Sequence, residues 1–168
     1  MQDKELHRAA TRFARRLLGS DELVKDIVSE ALWALQRNLG RLTEPGSQKA
    51  FLFRVVRNLA YSELRRRGRL PEVPLESVEW QQADPTPGPE EALQGALVLA
   101  EIQTALEKLA EPQRTALLLY VEEGLSYSQI AEVLATDLGT VKSRIHHARK
   151  NLARRLRPET RQSLGLEE

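Results

Sequence analysis

Apolar residues recur along this chain at spacings of three and four, and nothing alternates with period two over a useful length. The sequence therefore predicts helices and no strands. Residues 3–18 read as a helix with Leu6, Ala10, Phe13, Ala14, Leu17 and Leu18 on one side, closed by Gly19. Ser20 or Asp21 opens a second helix carrying Leu23, Ile27, Ala31, Leu35 and Leu39, which Gly40 stops. After a loop from Arg41 to Gly46, a third helix runs from about Ser47 to Arg67. Helices resume near Pro89: Leu97, Ile102, Leu106 and Leu109 mark one, ending near Ala110. Pro112 suits the first turn of the next, which carries Ala116 to Val121 and ends at Gly124.

The stretch 124–157 predicts a helix, a tight turn and a basic helix. Ser126 with Gln129 three residues on forms a capping-box pattern, followed by Ile130, Ala131 and Leu134 on the buried side. Asp137 is placed to cap the second helix, whose apolar face is Leu138, Val141, Ile145, Ala148 and Leu152. Opposite that stripe lie Ser143, His146, Lys150, Arg154 and Arg157. A helix buried on one side, basic on the other and delivered by a short turn suits the major groove of DNA. The bland alternative is a solvated cationic face on an ordinary bundle helix.

Between the two helical stretches the pattern breaks. From Gly68 to Pro89 there are five prolines and the acids Glu72, Glu76, Glu79 and Asp84, with Arg69 as the one base. This composition predicts a flexible acidic linker, with Trp80 as an apolar exception that could dock or simply ride on a tether. The expected architecture is all-α: a three-helix unit over 1–68, a linker over 69–91, and a helix-turn-helix unit over 92–168, with their relative placement open. Each unit is near the lower size limit for independent stability.

Charge sharpens this picture only when it is read locally. The 168 residues carry a net charge of +1, but basic residues cluster at 54–69 and 142–161 while the middle is acidic. On the third helix Arg54, Arg57, Asn58, Tyr61 and Arg65 fall on one side, opposite Leu52, Val55, Val56 and Leu59. Arginines beside an aromatic and an amide make a mixed electrostatic and stacking platform for nucleic acid; a solvated arginine face is the alternative. Two such surfaces on a strap suggest contact with two separated DNA segments.

Other chemistry is excluded or unsupported. The chain has no cysteine, which removes disulfides, zinc fingers and thiol nucleophiles. Adjacent His146 and His147 point about 100° apart on a helix and cannot share one metal. Glu122 and Glu123 end a helix without a partner that the sequence can identify, and no glycine-rich phosphate loop is present. No catalytic set, metal or cofactor is expected. With no membrane-length apolar stretch and no signal-peptide core, a soluble cytoplasmic protein is expected.

Two segments carry a family likeness. LSYSQIAEVLATDLGTVKSRIHHARKNL resembles region 4, and DELVKDIVSEALWAL followed by AFLFRVVRNLAYSELRRR resembles region 2, of the extracytoplasmic-function (group IV) sigma factors of the sigma-70 superfamily. The likeness covers most of residues 3–67 and 98–157. It implies a promoter-specificity subunit that binds core RNA polymerase at the β′ clamp helices and the β flap. It further implies opening of the −10 element by region 2 and binding of the −35 element as duplex by region 4, with no enzymatic activity. The linker of such proteins passes near the active centre and RNA exit channel.

By position, Asp26, Ser29 and Glu30 match the clamp-contact surface, Ser29 standing where the family commonly has glutamine. The loop around Arg41–Gln48 matches the segment that captures a flipped −10 base. Arg54, Arg57, Asn58 and Tyr61 match the strand-engaging helix; Arg65 joins them on the platform, and Phe51 sits in a slot often filled by tryptophan. Thr140, Lys142, Ser143, Arg144 and His147 match the −35-reading helix, and the helical projection adds His146 and Lys150. His147 replaces a frequent arginine, and Ala135 a common glycine. The implied partners are core polymerase, duplex and single-stranded promoter DNA, and an anti-sigma factor, with a monomer expected when these are absent. The rival reading is a stand-alone helix-turn-helix regulator, which would bind duplex DNA by itself and need an effector pocket. A third, a sigma mimic that sequesters an inhibitor, should lack the basic recognition face present here.

Overall fold

The computed structural model describes residues 2–18, 21–44, 46–68 and 89–166. The linker reading, Trp80, and the boundary residues Gly19, Ser20 and Pro45 lie outside the described residues. Those described form helices and no strand: α1 (Gln2–Leu18), α2 (Asp21–Asn38), α3 (Ser47–Arg66), α4 (Pro89–Glu107), α5 (Glu111–Val121), α6 (Tyr127–Leu134), α7 (Leu138–Ala153) and α8 (Pro158–Ser163), with a 3-10 turn at Leu39–Arg41.

Helices α1, α2 and α3 pack pairwise against one another. Alanines 9, 10 and 14 are fully buried and let the helix axes approach, while Phe13 meets Phe53 edge-on with ring centroids 5.0 Å apart. Val24, Val28, Leu52 and Val56 close the layer around that pair. In the C-terminal unit α5 packs on α7, and α6 leans on both. Leu117, Leu119, Leu125, Ile130, Val133, Val141, Ile145 and Leu152 are its core. Pro112 does fall in the first turn of α5.

Three leucines assigned to apolar faces are exposed instead. Leu39 belongs to the 3-10 turn that unwinds the end of α2, and Leu138 is the first residue of α7, facing outward beside the turn. Leu97 is exposed because α4 is packed through its last turns, at Ala105 and Leu106, and through Leu109 just beyond them. Helix α8 was not expected. It is tied to α4 through Glu101, whose carboxylate accepts from the Arg157 backbone N–H at 2.6 Å, Arg157 Nε at 3.0 Å and Thr160 Oγ1 at 2.8 Å.

The two units are not held apart. Helix α6 packs along α3, and Gln129 of α6 lies over Gly46 at the entry to α3, so close that a Cβ there would fall 2.6 Å from its Nε2. Gly46 also has φ +78°, a left-handed conformation that a side chain would strain.

Candidate nucleic-acid interface

The helix-turn-helix is built as its capping residues dictate. Ser126 Oγ accepts from the Gln129 backbone N–H at 3.2 Å, and Gln129 Oε1 accepts from the Ser126 N–H at 2.9 Å. Two orphan amide donors at the start of α6 are thereby satisfied. Ala135 supplies the turn in a left-handed conformation, φ 50°, which costs a side-chain-bearing residue about 1–2 kcal/mol. Asp137 then caps α7, accepting from the Thr140 N–H at 2.8 Å and Thr140 Oγ1 at 2.6 Å. Hydrogen bonds from the Thr140 hydroxyl and then its amide hold the Asp137 carboxyl below the usual range. Replacing Ser126 with alanine is expected to destabilise the C-terminal unit by about 1 kcal/mol, checked by chemical denaturation followed at helix absorption.

From that start α7 buries Val141, Ile145, Ala148 and Leu152 and turns Lys142, Ser143, His146, His147, Arg149 and Lys150 to solvent. Thr140 and Arg144 are half-buried, and the Thr140 hydroxyl is engaged by Asp137. His146 and His147 meet edge-on with centroids 5.5 Å apart. Among the described residues no cluster of three or more His, Cys, Asp or Glu is placed to hold a metal.

The α3 platform is divided rather than continuous. Arg54, Asn58 and Arg65 are exposed, and the Arg54 guanidinium lies 5.4 Å from the centroid of half-buried Phe51. Arg57 and Tyr61 stack on each other at 4.6 Å but are half-buried. Burial, then Glu111, pushes the Tyr61 hydroxyl pKa up against the opposing pull of Arg57 and Arg144. Tyr61 therefore faces the C-terminal unit, because α6 lies along α3. Of the five residues read on one side of α3, Arg54, Asn58 and Arg65 are thus open to solvent and Arg57 and Tyr61 are partly covered. Glu63, just beyond, is paired with Arg66 and Arg67 and drawn down to about 2 by their hydrogen bonds.

Around the loop before α3, Leu42, Thr43, Glu44, Gly46, Gln48 and Lys49 line a cavity of about 310 Å³ with Glu5 and Leu6. On the far side of the same unit, Asp26, Ser29 and Glu30 are exposed along α2. The same face continues into Trp33, which is 59% exposed and capped by the Arg37 guanidinium at 4.7 Å. Helical spacing alone does not single out Trp33; an aromatic on the polar side of an amphipathic stripe is the signal that would find it.

Residues 4–70 match the family described as Sigma-70 region 2, and residues 99–152 match Sigma-70, region 4. The chain is 32% identical to the RNA polymerase sigma-H factor of Pseudomonas aeruginosa, over 88% of this chain and 80% of that protein. The chain belongs to the sigma-70 family, among the ECF sigma factors. It is also 34% identical to the ECF RNA polymerase sigma factor SigE of Mycolicibacterium smegmatis, over 84% of this chain. It spans only 54% of that relative's length. A solved sigma factor, RpoE of Bartonella quintana in complex with the anti-sigma factor NepR, shares its fold with a TM-score of 0.61 and 28% identity, covering 89% of this chain and 91% of that one. In this sigma factor no helix among the described residues is long and apolar enough to cross a membrane.

Glu122 and Glu123 have partners that the sequence did not disclose: Arg12, Arg16 and Lys49, all from the N-terminal unit.

Proposed function

We propose that this sigma factor binds core RNA polymerase, directs it to promoters and opens them, acting in the cytoplasm without catalysing a reaction itself. The observation that carries this reading is the pairing, in one chain, of a helix-turn-helix with a solvent-facing basic helix and an α3 bearing Arg54, Arg57, Asn58 and Tyr61. The first suits duplex DNA and the second suits strands being separated. A stand-alone regulator has no use for the second surface.

In this reading residues 1–68 are the polymerase-binding and −10 unit, and 92–168 the −35 unit, joined by the segment 69–91. Asp26, Ser29 and Glu30, extended by Trp33, form the clamp contact. Phe51, Arg54, Arg57, Asn58, Tyr61 and Arg65 engage the −10 strand, and the loop cavity receives the extruded base, recovering the few kcal/mol that extrusion costs. Thr140, Lys142, Ser143, Arg144, His146, His147 and Lys150 face the −35 duplex. The Bartonella relative was solved with an anti-sigma factor, which supports such a partner here.

Reconstitution with core polymerase tests the reading. Stable association and transcription from a candidate promoter are expected, and failure to associate sinks the proposal. In the same assay Arg57→Ala with Tyr61→Ala should lower promoter opening, read by permanganate footprinting, far more than it lowers duplex retention. Equal losses would contradict the division of labour.

A further inference from the structure

Arg12 and Arg16 stand one turn apart on α1, and Lys49 lies in the first turn of α3. Their cationic ends converge on two carboxylates from the far end of α5. Arg12 Nη2 reaches Glu123 Oε1 at 2.9 Å, and Arg16 Nη2 reaches Glu122 Oε2 at 2.5 Å. Lys49 Nζ lies 2.9 Å from Glu123 Oε2, off the hydrogen-bond direction, and donates to the Glu123 carbonyl at 3.0 Å. The Glu123 side chain is 2% exposed and that of Arg16 10%. Ions this dry persist only while compensated, and withdrawing one partner strands the other.

Two further features mark the cationic side as a site in its own right. Arg16 Nε is buried with no acceptor, so the pair of carboxylates leaves donor capacity unused that a tetrahedral anion could take up. Lys49 also sits at a helix N-terminus, where amide donors and the helix dipole favour anions. The socket adjoins α3, and the same docking lays α6 along α3, where Arg57 and Tyr61 are half-buried. Arg57 and Tyr61, assigned to separated strands, are thus half-covered while the units are joined, whereas the outer face of α7 stays in solvent.

We propose that Glu122 and Glu123 form an intramolecular anion plug. They latch the C-terminal unit onto an Arg12/Arg16/Lys49 socket that takes a backbone phosphate of DNA once the units part. The latch stands independently of the promoter reading, whereas the phosphate half rests on it. Because closed molecules cannot present the socket, the socket's contribution to DNA affinity is scaled by the open fraction.

The chain has no cysteine, so Gln36→Cys and Gln162→Cys, both at exposed positions, report the separation of the units by energy transfer. E122Q/E123Q should lengthen that distance and tighten binding of a short non-specific duplex about tenfold, the factor for a chain mostly closed at rest. R12Q/R16Q/K49Q should lengthen the distance equally, yet bind the duplex about tenfold more weakly than E122Q/E123Q. Its salt dependence should be shallower by about 0.9 in logarithmic slope, for the one phosphate no longer held. The exchange R16E/E122R, made in the one pair whose members each have a single ionic partner among the described residues, should restore the short distance that either single change loses, which separates opening from misfolding. An unchanged distance in E122Q/E123Q overturns the latch. Equal duplex affinity and slope in the two opened proteins overturn the socket. If neither opened protein binds duplex at any salt concentration, the phosphate half fails together with the promoter reading, while the distances still decide the latch.

Discussion

Phe53→Ala is expected to leave the N-terminal unit largely unfolded, seen as loss of about half of a two-step melting profile while the C-terminal unit still melts. Phe53 is fully buried at the point where α1, α2 and α3 meet, edge-on to Phe13 at 5.0 Å. Truncating a buried phenylalanine costs about 3–5 kcal/mol in lost transfer energy and residual cavity. The flanking Ala9, Ala10 and Ala14 are already as small as packing allows and cannot swell to refill the space. At roughly 0.05–0.15 kcal/mol per residue, a unit of this size has about 3–10 kcal/mol in total, so one truncation consumes much of its stability. Retention of both steps would show that α6, lying along α3, supplies enough packing to hold the unit together.

Lys142→Ala with Arg144→Ala should weaken binding of a −35 duplex and flatten its dependence on salt by about 1.8 in logarithmic slope, about 0.9 for each phosphate neutralised. At low salt the loss should approach tenfold per contact, the lower end of the ~1.5–3 kcal/mol typical of charge-assisted hydrogen bonds. The two positions are not equivalent. Lys142 is exposed, whereas Arg144 is half-buried and acts on the Tyr61 hydroxyl. Lys142→Ala alone should therefore show its full effect in the resting protein. Arg144→Ala should show its own only where the units have parted, as in E122Q/E123Q. Fluorescence anisotropy across a salt series reads both, and an unchanged slope would mean that neither side chain meets phosphate.

What was legible in the sequence was local. Ser126, Gln129 and Asp137 act on amides three residues away, so their caps could be read from spacing, and the structure places them as read. The apolar stripes of α1 and α7 likewise follow from helical periodicity. The partners of Glu122 and Glu123 were not legible because they lie 74 to 111 positions away, and periodicity carries no information across a linker. The same distance hid the division of the α3 platform: spacing put Arg54, Arg57 and Tyr61 on one side, but only the packing of α6 decides which of them sees water. The exposed Leu97 shows the converse error, since an apolar residue at helical spacing marks a face without guaranteeing a neighbour to cover it.

The Glu101 clasp has a consequence for how the protein is made. Chains are synthesised from the N-terminus and their units fold as they emerge, so α7 leaves the ribosome before α8 does. Until Arg157 and Thr160 follow, the carboxylate of Glu101 on α4 lacks the donors that hold it. Helix α7 is therefore complete in sequence before its unit is fastened. A nascent chain halted between α7 and α8 would carry the basic face on an unclosed support.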